Sequence, residues 1–360
     1  MGQYKVYVYA ICRNESQFVS RWMESMREAD GIYVLDTGSE DDTAERLAEL
    51  GAKVTVETIT PWRFDTARNR SLALVPEDAD ICVCTDLDEI LRPGWREGVE
   101  RAWRPGATRL HYRYTWSYLP DGREGVVFWT DKIHRRHGCR WVNPVHEVLQ
   151  FDGGEGPRLY AEGVALEHHP DPAKSRGQYL PLLELAVQED PQNDRNTHYL
   201  GREYFFYGRW EDSARTLKRH LSLPTATWPD ERCASMRLIA KDCLALGREE
   251  EAEQWLLRAA AEAPHLREPW LDLALYCWNR QRYEAVIALS ERALTIRERP
   301  RTYMTEAEAW GSLPHDLASL GFYYTGRREQ ALSHIRRAIE LDPKNERLQV
   351  NLRLMETAEG

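Results

Sequence analysis

The sequence predicts an α/β domain with a mostly parallel sheet, followed by an all-α domain of helical repeats. Three observations lead there. Short apolar runs alternate with polar stretches of helical spacing up to about residue 90. The character of the chain changes near residue 170. Beyond that point one phrase recurs in four places. We place the domains at residues 1–175 and 176–360, consistent with a length of 360 residues, more than one typical domain.

The runs YKVYVYAI (4–11), GIYVLD (31–36), AKVTVETI (52–59) and DICVCTD (80–86) read as buried strands. NESQFVSRWMESMRE lies between the first two, and SEDDTAERLAEL follows the second. Both are helical, and Ser39 with Asp42 forms a capping-box-like start. Strand–helix alternation with apolar strands indicates a parallel sheet. From 107 to 169 the pattern becomes strand-rich: TRLHYRYTWSY, GVVFWTDKIHRR, WVNPVHEVLQFD and GVALEHH. It forms an α+β second half of the same domain.

The recurring phrase is YGRWEDSARTL, LGREEEAEQWL, NRQRYEAVIAL and TGRREQALSHI. Aligned on Gly208, Gly247, Arg280 and Gly326, the copies are 39, 33 and 46 residues apart. A period near 34 with Gly between two helices marks a helix–turn–helix solenoid. The long third interval contains ERPRTYMTEAEAWGSLP, which we read as an inserted loop. Trp210, Trp255, Trp270 and Trp278 fall at packing positions of the repeats.

Composition excludes several classes. Hydrophobic residues make up 42% and charged residues 29%, a globular balance. A net charge of −10 without a basic run argues against nonspecific nucleic-acid binding. No window approaches the ~18 apolar residues of a membrane span, and MGQYKVYVYAIC reads as a strand rather than a signal peptide. Val6 breaks the myristoylation pattern. The seven scattered cysteines lack metal-finger spacing and predict reduced thiols in a cytoplasm.

The chemistry is concentrated in TDLDE (85–89), which carries three carboxylates in four residues after a buried strand. Carboxylates left unpaired there are costly. If the strand runs through Asp88, then Asp86 and Asp88 share one face. At the carboxyl edge of a parallel sheet they would favour a hard divalent cation, Mn²⁺ or Mg²⁺, and through it a phosphorylated ligand. A surface turn before a helix is the plainer account of an Asp-x-Asp.

Taken in order, AICRNES (10–16), VLDTGSEDDT (34–43), FDTARNRSL (64–72), TDLDE, the W-x-x-P-V-H-E run (141–147) and a strand-ending His168 resemble the family-two-like glycosyltransferases of the GT-A fold. They are most similar to the branch with C-terminal tetratricopeptide repeats that includes peptide S-glycosyltransferases of glycopeptide bacteriocins. GRREQALSHIRRAIELDPKN likewise resembles a tetratricopeptide repeat. The resemblance implies a nucleotide-sugar donor, UDP-linked by preference, and a peptide or protein acceptor modified at Cys or Ser. It implies a pocket of Arg13, Asn14, Glu15, Asp36, Asp65, Arg68, Asn69 and Asp86. Asp88 and His168, with Asp86 directly or through water, are the implied metal ligands, and His169 is the alternative to His168. Asp36 would read the base edge, although DTGS also suits an Asx-turn. Asp65 would equally suit a helix N-terminus. Arg135, Arg136 and Arg140 would add positive charge.

Transfer requires a group that takes the acceptor's proton. Glu147 is our choice, with His146 or Asp131 as replacements; the family's usual Glu-Asp pair is missing. The expected outcome is inversion. The repeats would dock the acceptor or a second copy of the chain. Two other readings are a transferase acting on a surface polysaccharide or lipopolysaccharide sugar, and a non-catalytic repeat scaffold with a degenerate transferase domain. A nucleotidyltransferase should carry a Gly-rich loop after the first strand, where this chain has CRNES.

Overall fold

The computed structural model describes residues 2–172 and 177–357. The chain divides into two compact units, Met1–Ala186 and Val187–Gly360. The boundary read from the sequence, between residues 175 and 176, lies outside the described residues.

The first unit is built on an eight-stranded sheet. Strands β1 (Val6–Cys12), β2 (Gly31–Asp36), β3 (Lys53–Val56) and β4 (Ile81–Cys84) lie parallel in the order β3-β2-β1-β4. Helices α1 (Ser16–Met26), α2 (Thr43–Glu49) and α3 (Phe64–Ala73) connect them. Layers on both faces explain the unbroken apolar strands β1, β2 and β4, whereas β3, expected to be buried, lies at the sheet edge and is largely exposed, with Val56 at 64%. Val6, Val8 and Ala10 of β1 join Trp22 of α1 in one core cluster. Tyr9 belongs to a second cluster with Cys82, Cys84 and Leu72.

The sheet continues through β7 (Val127–Arg135), β6 (Arg109–Thr115), β10 (Leu159–His168) and β5 (Glu89–Leu91). Helix α4 (Trp95–Ala102) follows β5, and β8 (Cys139–Val142) pairs with β9 (Val148–Phe151) in a separate ladder. Four strand spacings separate β4 from β5 in that order, about 19 Å on a flat sheet. The five residue steps from Cys84 to Glu89 reach only about 17 Å when fully extended. The sheet therefore curls, bringing its last strand back towards β4.

Two local expectations are corrected. The fourth strand stops at Cys84 and does not run through Asp88, because a turn closes after it. The Glu89 amide donates to the Asp86 carbonyl (3.0 Å), and the Asp86 amide donates to the Glu89 carboxylate (2.9 Å). The alternation argument for Asp86 and Asp88 therefore fails, and β5 follows where no strand was expected. The capping box also does not form. Asp42 precedes α2 without a side-chain cap, and Ser39 Oγ instead accepts the Asn14 amide (2.9 Å).

A buried polar chain anchors β8 to the sheet. The Trp141 indole donates to Tyr9 (2.8 Å), and the Tyr9 hydroxyl donates to His134 Nε2 (2.7 Å). His134 Nδ1–H donates to the Arg135 carbonyl (2.7 Å). Burial pushes the His134 imidazole down to about 4, against the pull of that carbonyl. An unfolded histidine titrates near 6.5. Between these values the unfolded chain binds a proton that the folded chain refuses, so this group removes stability as pH falls through that window. The stability deficit of His134→Gln, measured by urea unfolding, should shrink from pH 7 to pH 4.5. A deficit that stays constant with pH would overturn this assignment.

The second unit consists of helix pairs: α6 (Asp194–Phe206) with α7 (Trp210–Ser222), α8 (Pro229–Ala245) with α9 (Glu249–Glu262), α10 (Glu268–Trp278) with α11 (Tyr283–Thr295), and α12 (Leu313–Tyr324) with α13 (Arg328–Leu341). Helix α14 (Glu346–Thr357) follows them, and α5 (Tyr179–Glu189) precedes them. Each pair turns through one left-handed residue: Gly208, Gly247, Gln281 or Gly326, with φ between 57° and 77°. An arginine then occupies the N-cap position of the next helix, without a side-chain cap bond, at φ −94° to −85° and ψ 63° to 68°: Arg209, Arg248, Arg282 and Arg327. Gln281, rather than Arg280, therefore occupies the glycine position, and Gly247 to Gln281 spans 34 residues (281 − 247). A side chain in the left-handed region had concealed this register. The insertion of the third interval is mostly loop, with one short 3₁₀ turn at Glu308–Trp310. Trp255, Trp270 and Trp278 pack against the repeat core.

Candidate functional site

The parallel strands β1, β2 and β4 end at Cys12, Asp36 and Cys84 along one edge of the sheet. The strand order reverses beside β1, the switch point at which open α/β sheets bind ligands. β6 and β10 run in the same sense and end at Thr115 and His168.

The turn at Asp86–Glu89 carries the charge, and two buried cations compensate most of it. Arg68 of α3 donates through Nη2 to Asp86 Oδ1 (2.5 Å) and through Nε to Glu147 Oε1 (3.0 Å). Lys132 of β7 donates to Asp86 Oδ2 (3.2 Å) and Glu89 Oε1 (3.1 Å). The Tyr114 hydroxyl adds a bond to Glu89 (2.7 Å). Burial opposes ionisation of Asp86, but Arg68 and Lys132 outweigh it and hold the carboxyl well below its usual range. Burial likewise opposes the Lys132 charge, and Asp86 with Glu89 raises its pKa well above the ordinary lysine value.

Asp88 has a different partner. Its Oδ2 lies 3.4 Å from His168 Nε2, although the residues are 80 positions apart (168 − 88). His168 Nδ1–H donates to the Trp116 carbonyl (3.0 Å), and the ring stacks on Trp116 at 4.4 Å. This fixes the tautomer and turns Nε2 towards Asp88. Two ligands about 2.1 Å from one ion lie roughly 3.0–3.4 Å apart, so this nitrogen and oxygen fit a divalent cation without rearrangement. Burial opposes a charge on His168, but the hydrogen bond and charge of Asp88 prevail and raise its pKa. His169 points elsewhere: its amide donates to the Asp88 carbonyl (2.8 Å), and its ring meets Glu167 (3.2 Å) and stacks on Tyr118.

The other expected residues divide into two groups. The loops after β1 and β2 are tied together, with the Glu40 amide donating to Asn14 Oδ1 (2.7 Å) and the Glu15 amide to Thr43 (2.9 Å). Arg13 is exposed, 4.0 Å from Glu40. Asp36 is buried and closes an Asx-turn, accepting the Gly38 and Ser39 amides (2.8 and 2.7 Å). These residues line the carboxyl edge. Asp65 is paired with Arg63 (2.7 Å) within the first turn of α3. Asn69 clasps the backbone of Trp141 at both its N–H and its C=O (2.9 and 2.8 Å). Asp131 pairs with Arg109 (2.7 Å) and does not join the cluster. His146 adopts φ 51° and stacks on Tyr179. Arg135 and Arg136 donate to the carbonyls of Gly138, Asp152 and Val75, and Arg140 donates to Gln150.

Sequence reasoning missed Lys132, Tyr114 and the part played by Trp116. The available signal was a lone lysine within the β-patterned WTDKIH: a charge on a central strand requires a buried partner.

No family model matches the chain. A TPR repeat-containing protein of Synechococcus elongatus is 28% identical over 144 residues, 39% of this chain and 34% of that protein. The match thus spans about a third of the relative's length. Among solved structures, a thermophilic TPR protein of Thermus thermophilus aligns at 19% identity and TM-score 0.37, covering 51% of this chain and 92% of that one. YrrB, a TPR protein with an unusual peptide-binding site, aligns at 14% identity and TM-score 0.37, covering 49% and 84% respectively. With its paired helices and shared turn geometry, the second unit is a helical domain of the tetratricopeptide-repeat type. No helix among the described residues is long and apolar enough to cross a membrane.

Proposed function

We propose that the first unit is a glycosyltransferase domain of the GT-A type that uses a nucleotide-sugar donor, UDP-linked by preference, with Mn²⁺ or Mg²⁺. The observation behind this reading is the convergence of Asp88 and His168 at the carboxyl edge of the sheet, beside the Arg68–Asp86–Lys132 cluster. Asp88 and His168 would hold the cation. When bound, it supplies positive charge to the departing diphosphate. Asp86, already committed to two cations, orders the turn that presents Asp88 and would meet donor or metal through water. The loops at Asn14 and Asp36 form the nucleotide side of the pocket.

Glu147 is the proposed general base, oriented by Arg68. The acceptor hydroxyl or thiol attacks the anomeric carbon as the bond to the diphosphate oxygen breaks. The acceptor's proton passes to Glu147, and the configuration inverts. The repeats favour a peptide or protein acceptor, since such solenoids build extended concave surfaces. A second copy of the chain is the other occupant they would suit. The seven free cysteines accord with a reducing cytoplasm.

One observation favours a second reading. Asp86 and Glu89 are satisfied by Arg68, Lys132 and Tyr114 without any metal, as a degenerate domain serving the repeats as a scaffold would allow. Thermal melting with UDP-, GDP- and dTDP-sugars, with and without Mn²⁺, separates the two. We expect one donor to raise the melting temperature and to be slowly hydrolysed only with the metal. No stabilisation by any donor in either condition would favour the scaffold.

A further inference from the structure

The repeats hold a second cluster of metal-ligand chemistry that the transferase reading does not use. Asp194 opens α6, His220 lies in the last turn of α7, and Glu231 lies in the first turn of α8. One ligand atom from each of the three lies within 4.8 Å of the others. His220 is fully buried and Glu231 nearly so, while Asp194 is partly exposed.

The hydrogen bonding around His220 points to a ligand. Ser235 Oγ lies 2.9 Å from His220 Nδ1 and 2.7 Å from His198 Nδ1. Its single proton can serve only one ring. If it goes to His198, at the shorter contact, His220 Nδ1–H donates to Ser235 and Nε2 presents a lone pair; if it goes to His220, Nε2–H faces Glu231. That nitrogen is fully buried and makes no hydrogen bond, and it faces Glu231 Oε1 at 3.3 Å. A bare lone pair against a carboxylate oxygen is repulsive, so a proton or a metal ion lies between Nε2 and Glu231, and Asp194 beside them supplies the third oxygen that a metal ion, but not a proton, would use. The 3.3 Å separation matches two ligands on one ion. A hydroxyl fixing the far nitrogen is the outer-shell support that metal-bound histidines use.

The surrounding charge agrees. Asp194 makes no ion pair or hydrogen bond among the described residues. Glu231 receives a long contact from the Tyr303 hydroxyl (3.5 Å) and the field of the neighbouring Arg195. Two carboxylates against one arginine leave a net negative pocket. Two helix N-termini hold the acids, and a helix C-terminus faces the cation, as helix dipoles prefer.

We propose that Asp194, His220 and Glu231 form a binding site for a divalent transition-metal ion, with imidazole and carboxylate ligands of the zinc or manganese class, that ties α6, α7 and α8 together. Partial exposure at Asp194 provides the entry side and leaves room for water in the remaining coordination positions.

Calorimetric titration of the chelator-treated full chain with Zn²⁺ tests this, with circular dichroism confirming helix content. The expected result is one equivalent that persists in Asp88→Ala, weakens at least tenfold in Asp194→Asn and disappears in His220→Gln. Zn²⁺ should also raise the melting temperature of the native chain but not that of Asp194→Asn. Asp194→Asn lies at a partly exposed position, so it keeps the test valid should His220→Gln misfold. The proposal is overturned if the native chain binds no equivalent, if affinity is unchanged in the cluster variants, or if the equivalent disappears with Asp88→Ala alone.

Discussion

Arg68→Met should destabilise the first unit by roughly 3 kcal/mol at neutral pH. The guanidinium is 3% exposed and spans two carboxylates, Asp86 and Glu147. Methionine fills a similar volume but leaves both acids without their shared cation. Removing one partner of a buried pair costs about 3–5 kcal/mol, because the remaining charge stays buried. We take the low end for two reasons. Asp86 is 33% exposed, so water recovers part of the loss, and Lys132 remains beside it. The pH dependence has a definite sign. Asp86 is held below its ordinary value in the folded chain, so its contribution is complete above about pH 4 and is lost as pH falls further. The Arg68→Met deficit, measured by urea unfolding, should therefore be largest near pH 7 and shrink below pH 4. A variant within 0.5 kcal/mol of the native chain at pH 7 would mean that Lys132 alone compensates the turn.

The cluster also explains why parts of the site could be read from the sequence and others could not. The central parallel strands β1, β2 and β4 were legible because helices on both faces make them apolar throughout, and ICVC can hardly be anything else, whereas the edge strand β3 is largely exposed. The Asp86–Glu89 turn was legible as a concentration of charge, but its resolution was not. Its partners Arg68, Lys132 and Tyr114 come from three distant segments, and no local period encodes such a meeting. Asp131 and Lys132 are adjacent, yet the sequence favours Asp131, because a carboxylate can act as a base. The fold put it on Arg109 and sent the lysine to the cluster. The same limit applies in the repeats. Glycine marks three of the four turns, and Gln281 marks the other only through its backbone angle. Asp194, His220 and Glu231 lie on three successive helices with no motif spacing and could be found only in three dimensions.

Asp88→Ala should reduce metal-dependent donor hydrolysis by about 100-fold or more while leaving the melting temperature nearly unchanged. The asymmetry follows from what each carboxylate touches. Asp86 and Glu89 hold the turn through Arg68, Lys132 and Tyr114, and none of those bonds involves the Asp88 side chain. Among the described residues the Asp88 carboxylate meets only His168, at 3.4 Å, so its loss leaves the ion-paired framework standing. A bound cation is worth several kcal/mol to a departing diphosphate, and each 1.4 kcal/mol is tenfold in rate. His168→Ala should cost a similar factor. If both side chains hold one ion, the double variant should lose little more than either single variant, because residues acting as a unit are non-additive. Manganese binding followed by electron paramagnetic resonance in an Asp194→Asn background, which weakens the second cluster, provides a second readout, since the Mn²⁺ signal in the presence of UDP should broaden with Asp194→Asn and not with the Asp88→Ala/Asp194→Asn double variant. Full hydrolysis by Asp88→Ala, or strictly multiplicative losses in the double variant, would separate Asp88 from His168 and remove the shared metal from the proposed mechanism.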